Sequence, residues 1–248
     1  MRWLVLALAL AGCASRPSPG LPTALPEPSG REWTRLRERL AITRSAAPEH
    51  PYVMNVLVAL REPRTGRVFQ ARGAVAVDPS HALRMILVGP GGATALDAWV
   101  TDERYRFVVP GVALERRGGR ETASARGLPI SFLRWWVLHP LDGRLLAAWS
   151  RDSGPLYLLR RGDETVLLRE GRVGRARREH VVAVCRAGGR VERLEWFCKS
   201  PVAPHPGDKA RYVDGASGLE VEILVEGVGA HEPDPAAFLD PDSSGIAL

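Results

Sequence analysis

The chain reads as mainly β, α+β in class: an antiparallel meander with one N-terminal helix and one short apolar helix set within it. Three observations predict this. From Tyr52 onward apolar and polar residues alternate with a period of two, interrupted by Gly, Pro and Asp turn signals. Before that, Trp33, Leu36 and Leu40 recur at helical spacing. Later, Ile130 to Leu138 is apolar almost all round and is framed by Pro129 and Pro140. Short strands joined by turns argue against a βαβ fold.

The first twelve residues read as a signal peptide. Arg2 supplies a positive start, and Trp3 to Leu10 is an apolar run far too short to span a bilayer. Leu10-Ala11-Gly12-Cys13 resembles the lipobox of bacterial lipoproteins. That resemblance implies cleavage before Cys13 and acylation of its thiol; a lipoprotein cysteine carries more than one acyl chain, enough for stable anchoring. The competing reading is an ordinary secretory signal that contains a cysteine. Ala14 stands where enterobacterial lipoproteins carry Asp for inner-membrane retention, which implies the periplasmic face of the outer membrane.

Residues 13–30 form a tether with Pro17, Pro19, Pro22, Pro26 and Pro28. Such a segment is extended, at ~3.1 Å per residue where polyproline-like. Residues 31–232 form one domain, with enough chain to bury a core. Ser29 and Glu32 fit a capping box opening a helix to about Arg44, ended before Pro48. Strands follow at Val53 to Leu60, Val68 to Val77, Ala82 to Val88, Thr94 to Val100 and Arg104 to Val109. After the apolar helix come Arg144 to Trp149, Leu156 to Arg160 and Thr165 to Glu170. Gly188-Gly189 reads as a two-residue hairpin turn that sets Cys185 opposite Glu192 and Cys198 opposite Glu179. The two cysteines then lie ~20 Å apart along the ladder, too far for a disulfide. Leu219, Val221, Ile223 and Val225 face inward, with Glu220, Glu222 and Glu226 outward. Residues 233–248 are rich in Pro and Asp and read as a loose tail.

The net charge of +6 comes almost wholly from arginine; Lys199 and Lys209 are the only lysines. The arginines are scattered without an aromatic stacking motif, so no nucleic-acid partner is expected. Anionic headgroups are a better match for the charge. The six histidines have no metal-ligand spacing, and neither metal nor cofactor is expected. Asp152-Ser153-Gly154-Pro155 superficially resembles a serine-protease fragment but sits at a hairpin bend without a histidine motif. Gly89-Pro90-Gly91-Gly92 lacks the Lys of a P-loop and reads as a strand connection. Nothing marks an enzyme.

Three segments together resemble the LolA/LolB lipoprotein-carrier group, LolB above all. They are Leu83 to Leu96, with Gly89-Pro90 at its bend; Leu128-Pro129 to Leu138, with Leu133-Arg134 and Trp135; and Arg211 to Val225. The resemblance spans most of Tyr52 to Gly227 and implies a curved, half-open antiparallel β-barrel. Helices would close it over a greasy cavity for acyl chains of lipid or lipoprotein cargo, with a periplasmic carrier or envelope complex as partner. Strand parity and the all-round apolar helix nominate Leu83, Met85, Leu87, Phe107 and Val109 on the sheet and Trp135 and Trp136 on a lid helix as lining residues. The loop Gly89, Pro90, Gly91, Gly92 matches the membrane-contact loop of LolB, with Gly91 where LolB exposes a Leu. The expected function is acyl-chain binding that aids lipoprotein localisation. The alternatives are a filled core serving as a structural or partner-binding envelope module and, third, a periplasmic hydrolase.

Overall fold

The computed structural model describes residues 29–119, 130–173, 178–187, 190–229 and 233–242. The signal segment 1–12, Cys13, the tether through Pro28, Pro129, the Gly188-Gly189 turn and tail residues 243–248 lie outside them.

Helix α1 (Gly30–Ser45) starts where the cap motif places it, with the Ser29 hydroxyl accepting from the Glu32 amide at 3.3 Å. The reciprocal half of the capping box is not made. Glu32 Oε1 instead accepts the Ser150 amide at 2.5 Å, which holds the Glu32 carboxyl below the usual range, and Arg35 Nη2 donates to Ser150 Oγ at 2.7 Å. Ser150 lies on a sheet edge whose amides lack a strand partner, and the cap acid covers one of them.

The strands are β1 (Tyr52–Arg61), β2 (Val68–Asp78), β3 (Ala82–Val88), β4 (Thr94–Thr101), β5 (Arg104–Val109), β6 (Leu114–Gly119), β7 (Arg144–Arg151), β8 (Gly154–Arg161), β9 (Glu164–Val173), β10 (Arg178–Ala187), β11 (Arg190–Cys198), β12 (Lys209–Asp214) and β13 (Glu220–Gly229). They form one antiparallel sheet in the order β6-β5-β4-β3-β2-β1-β13-β12-β11-β10-β9-β8-β7. Every neighbour is consecutive in sequence except β1 and β13, which pair from Val53↔Gly229 to Arg61↔Glu220. The sheet is therefore one meander, joined end to start and opened between β6 and β7. It is not closed, as the half-open expectation required. Between β6 and β7 in chain order comes α2 (Ile130–Leu133), which continues as a π-helical turn over Arg134–Leu138 and packs against β2, β3 and β4.

Strand β6 was not anticipated, whereas β12 falls in the Arg211 to Val225 segment that the resemblance marked as closing strands. The sequence of β6, Leu-Glu-Arg-Arg-Gly-Gly, has no alternating pattern; its ladder to β5 is held by backbone, with charged side chains guarding the edge. The cysteine register is as read: Cys185 pairs with Glu192, Cys198 with Glu179, and the two cysteines form no disulfide with each other.

One face of the sheet gathers Met54, Val56, Val75, Leu83, Met85, Phe107, Tyr157, Leu168, Val181, Trp196, Tyr212 and Ile223 into a single core. Residues from both ends of the strand order meet there, so the sheet curls around them. Leu36 and Leu40 of α1 join the same core. The tail is docked where the sequence read it as loose: Trp99 Nε1 donates to the Phe238 carbonyl at 3.0 Å, and Arg104 pairs with Asp240 at 3.0 Å. Pro235–Phe238 forms a 3₁₀ turn capped by Asp234. Docking gives the Trp99 indole an acceptor on the convex face, a partner that composition does not reveal.

Candidate functional site

All seven nominated lining residues lie on the concave side. Leu83, Met85, Leu87, Phe107, Trp135 and Trp136 are buried, and the half-buried Val109 packs against them. Strand parity places the five sheet residues, Leu83, Met85, Leu87, Phe107 and Val109. The lid helix is drawn inside because no face of Ile130–Leu138 is polar enough to lie on the surface.

The lid is held by aromatic packing and two polar hooks. Trp136 stacks on Phe132 with centroids 5.2 Å apart and meets Trp196 edge-on at 5.4 Å; Phe132 also lies 5.1 Å from Tyr212. Arg134 Nε donates to the Thr101 carbonyl at 2.6 Å, and His139 Nε2 lies 2.5 Å from Asp102 Oδ1. Both hooks grip the β4–β5 turn. The His139 amide reaches back to the Arg134 carbonyl at 2.9 Å, the wide turn of a π-helix.

A hinge follows. Leu141 is fully buried yet has φ +62°, a left-handed backbone that costs a non-glycine residue about 1–2 kcal/mol. Arg44 of α1 clamps it, donating to the Leu141 carbonyl at 3.0 and 2.6 Å and to the Gly143 carbonyl at 2.7 Å. Burial there lowers the Arg44 pKa. Beside the hinge a cleft of about 220 Å³ is lined by Arg44, Tyr52, Pro79, Leu138 and Pro140.

Among the described residues the concave face is closely packed. Two gaps of about 10 Å³ lie along the lid, one beside Phe132 and Trp135 and one beside Trp136 and Trp196, each close to the smallest space that holds a water molecule. The packing is polar in one respect: the indole N–H groups of Trp136 and Trp196 are buried with no hydrogen-bond partner. Each stranded donor costs about 1–3 kcal/mol.

The loop Gly89 to Gly92 turns β3 into β4, closed by bonds from the Gly89 amide to the Ala93 carbonyl at 2.9 Å and from the Gly92 amide to the Gly89 carbonyl at 3.2 Å. Gly91 has φ +86°, with open space where a side chain would stand. A Leu would fit there but would be held left-handed, which explains the glycine. Trp135 and Trp136 are buried, so in this conformation the lid offers no substitute membrane contact.

Sequence reasoning missed Arg44, Leu141 and the lid hooks. Arg44 is one of many scattered arginines, and the bend Pro140-Leu141-Asp142-Gly143 carries no mark of a buried turn. The missed signal was the apolar Leu141 between turn residues. Among the described residues no cluster of three or more metal-ligating side chains forms, and no helix is long and apolar enough to cross a membrane.

No family model matches the chain, and no curated protein matches it in sequence. Solved structures do resemble it. A LolA superfamily protein from Nitrosomonas europaea matches with a TM-score of 0.56 over 82% of this chain and 97% of that one, at 13% identity. A structure described as an outer membrane lipoprotein-sorting protein domain from Vibrio parahaemolyticus matches with a TM-score of 0.52 over 84% of this chain and 96% of that one, at 8% identity. What is shared at these identities is the architecture: the chain has a LolA-like fold.

Proposed function

We propose that this chain is a lipoprotein anchored through acylated Cys13 at the periplasmic face of the outer membrane, and that its half-barrel binds the acyl chains of lipid or lipoprotein cargo. The observation behind this reading is the lid, an apolar aromatic helix between β6 and β7 in the chain that packs into the concave core of the open sheet. Acyl chains bury ~0.8 kcal/mol per methylene without directional demands, so they can take the place of Phe132, Trp135 and Trp136 when the lid swings out. The left-handed Leu141 and its Arg44 clamp form the hinge, and the unpartnered indoles of Trp136 and Trp196 are ready donors for an ester carbonyl. The role is carriage, with no catalytic step. Delivery into a membrane is weak, because Gly91 adds no apolar insertion at the loop.

The test is native mass spectrometry of the full chain, with tryptophan fluorescence during titration with a fatty acid; Trp135→Phe and Trp136→Phe assign the signal. Retained lipid and a lid-dependent spectral change support carriage. The closely packed concave face favours a second reading, a non-transporting envelope module that binds a partner protein. A lipid-free mass and an unchanged spectrum would establish that reading instead. Anchoring is checked with Cys13→Ala, which abolishes incorporation of a fatty-acid label.

A further inference from the structure

Three acids are buried among the described residues, and one differs from the others. Asp208 accepts the Lys199 and His205 amides, and Asp214 accepts the Ala216 amide and the Ser217 hydroxyl; both brace turns. Glu170 of β9, 2% exposed, accepts from Arg39 Nη2 on Oε2 at 3.0 Å, while its Oε1 is buried with no hydrogen-bond partner. The hydroxyl of Tyr157, a fully buried core residue on neighbouring β8, is also without a partner. Glu170 faces the concave side opposite Val181, and Glu179 is its diagonal neighbour on β10, with Cα atoms about 7–8 Å apart. Burial, with Glu179 adding to it, pushes the Glu170 carboxyl above its ordinary range.

Beside Glu170 lies a cavity of about 350 Å³ lined by Arg39, Asp152, Ser153, Pro155, Glu170 and Glu179. It is built. The β7–β8 turn lies directly on β9, where a Cβ at Gly154 would stand 2.1 Å from the Glu170 carbonyl and one at Gly171 would stand 2.9 Å from the Ser153 carbonyl. The lining carries three carboxylates against one guanidinium, in a chain with net charge +6. Glu170 Oε1, buried in this lining, is an acceptor short of a donor. No carboxylate cluster here has metal-binding geometry among the described residues, so a divalent ion is a poor fit. A primary ammonium brings three donors on one small centre. Glu170 both lines the cavity and faces the concave side opposite Val181, so the cavity adjoins the concave interior there, and the half-exposed Arg39 provides a guanidinium for an anionic oxygen.

We propose that this cavity binds the headgroup of an aminophospholipid, with the ammonium on Glu170 Oε1 and the phosphate on Arg39. The site rests on the acyl-chain reading for the rest of the lipid, and its test does not. Glycerophosphoethanolamine, which has no acyl chains, is titrated into the full-length protein in phospholipid-free detergent, against its N-acetyl derivative. The ammonium form binds roughly tenfold more tightly or better, the worth of one charged hydrogen bond. Glu170→Gln removes that preference and leaves the N-acetyl form unaffected; if that variant fails to fold, Glu179→Gln, which removes a neighbouring lining carboxylate, weakens the preference. Equal binding of the two probes, or a preference that survives Glu170→Gln in a folded protein, overturns the proposal. Carriage is judged separately, by retention of long-chain lipid.

Discussion

The two halves of the sheet treat their convex faces in opposite ways. From β1 to β5, with β12 and β13, the outer positions carry ion pairs: Arg84 grips Asp97 through two bonds of 3.0 and 2.9 Å, Arg72 meets Glu226 at 3.0 Å, and Arg211 meets Glu220 at 2.6 Å. From β7 to β10 the central outer positions are apolar. Trp149, Leu156 and Leu167 form a second cluster separate from the main core, and Val182 and Val184 beside them are buried. Both faces are apolar there, which is why Val181 to Val184 and Leu156 to Leu159 read as continuous runs. The first half is a one-sided sheet, whereas the second sits between two apolar layers.

The largest expected effect tests whether both halves share one interior. Trp136→Ala removes the ring that bridges Phe132 and Trp196, and should cost about 3–5 kcal/mol. Denaturant unfolding should remain a single transition, since the lid touches both halves; two transitions would divide the sheet. An acyl-chain ligand should restore part of the loss by filling the space.

Next come paired truncations on β9. Leu168 points into the main core and Leu167 into the outer cluster. Leu168→Ala should cost about 3–5 kcal/mol, and Leu167→Ala about 1–2, because a cluster of few residues collapses more readily around a void. Equal costs would make the outer layer as structural as the inner one.

Ionic contrast gives smaller effects. Arg84→Met should cost about 1 kcal/mol for a half-exposed bidentate pair and reduce the salt dependence of stability; an unchanged salt slope would discount the pair. Glu170 is the acid of the second half, and its raised folded pKa means that the native state holds its proton longer than the unfolded chain does. Its contribution is most favourable below the unfolded carboxylate pKa and is lost as pH rises through the raised folded value. Melting temperatures of wild type and Glu170→Gln at pH 5 and pH 8 check this: the wild type should fall relative to the variant at the higher pH.

Much of this was legible in the sequence because it was local. Ala82–Val88 and Arg104–Val109 begin and end where alternation and turns put them, and the Cys185–Glu192 register followed from hairpin spacing alone. Parity placed Leu83, Met85, Leu87 and Phe107 on one face. Illegible were contacts between distant residues. Glu32 looked like half of a local cap, yet its carboxylate serves Ser150, 118 residues away. Arg39 and Glu170 lie 131 residues apart, and neither carries a motif.

By itself the sequence determined the period of each strand, the capped start of α1, the apolarity of the lid and the left-handed turn at Gly91, since each depends on side chains within a few residues of one another. The tertiary structure alone decided that β1 pairs with β13, that the sheet opens between β6 and β7, that the lid packs into the concave face, and that one half of the sheet is apolar on both sides. Alternation tells which side chains share a face, but not what lies against that face. That is settled when the free energy of burying one apolar surface on another selects among partners far away along the chain.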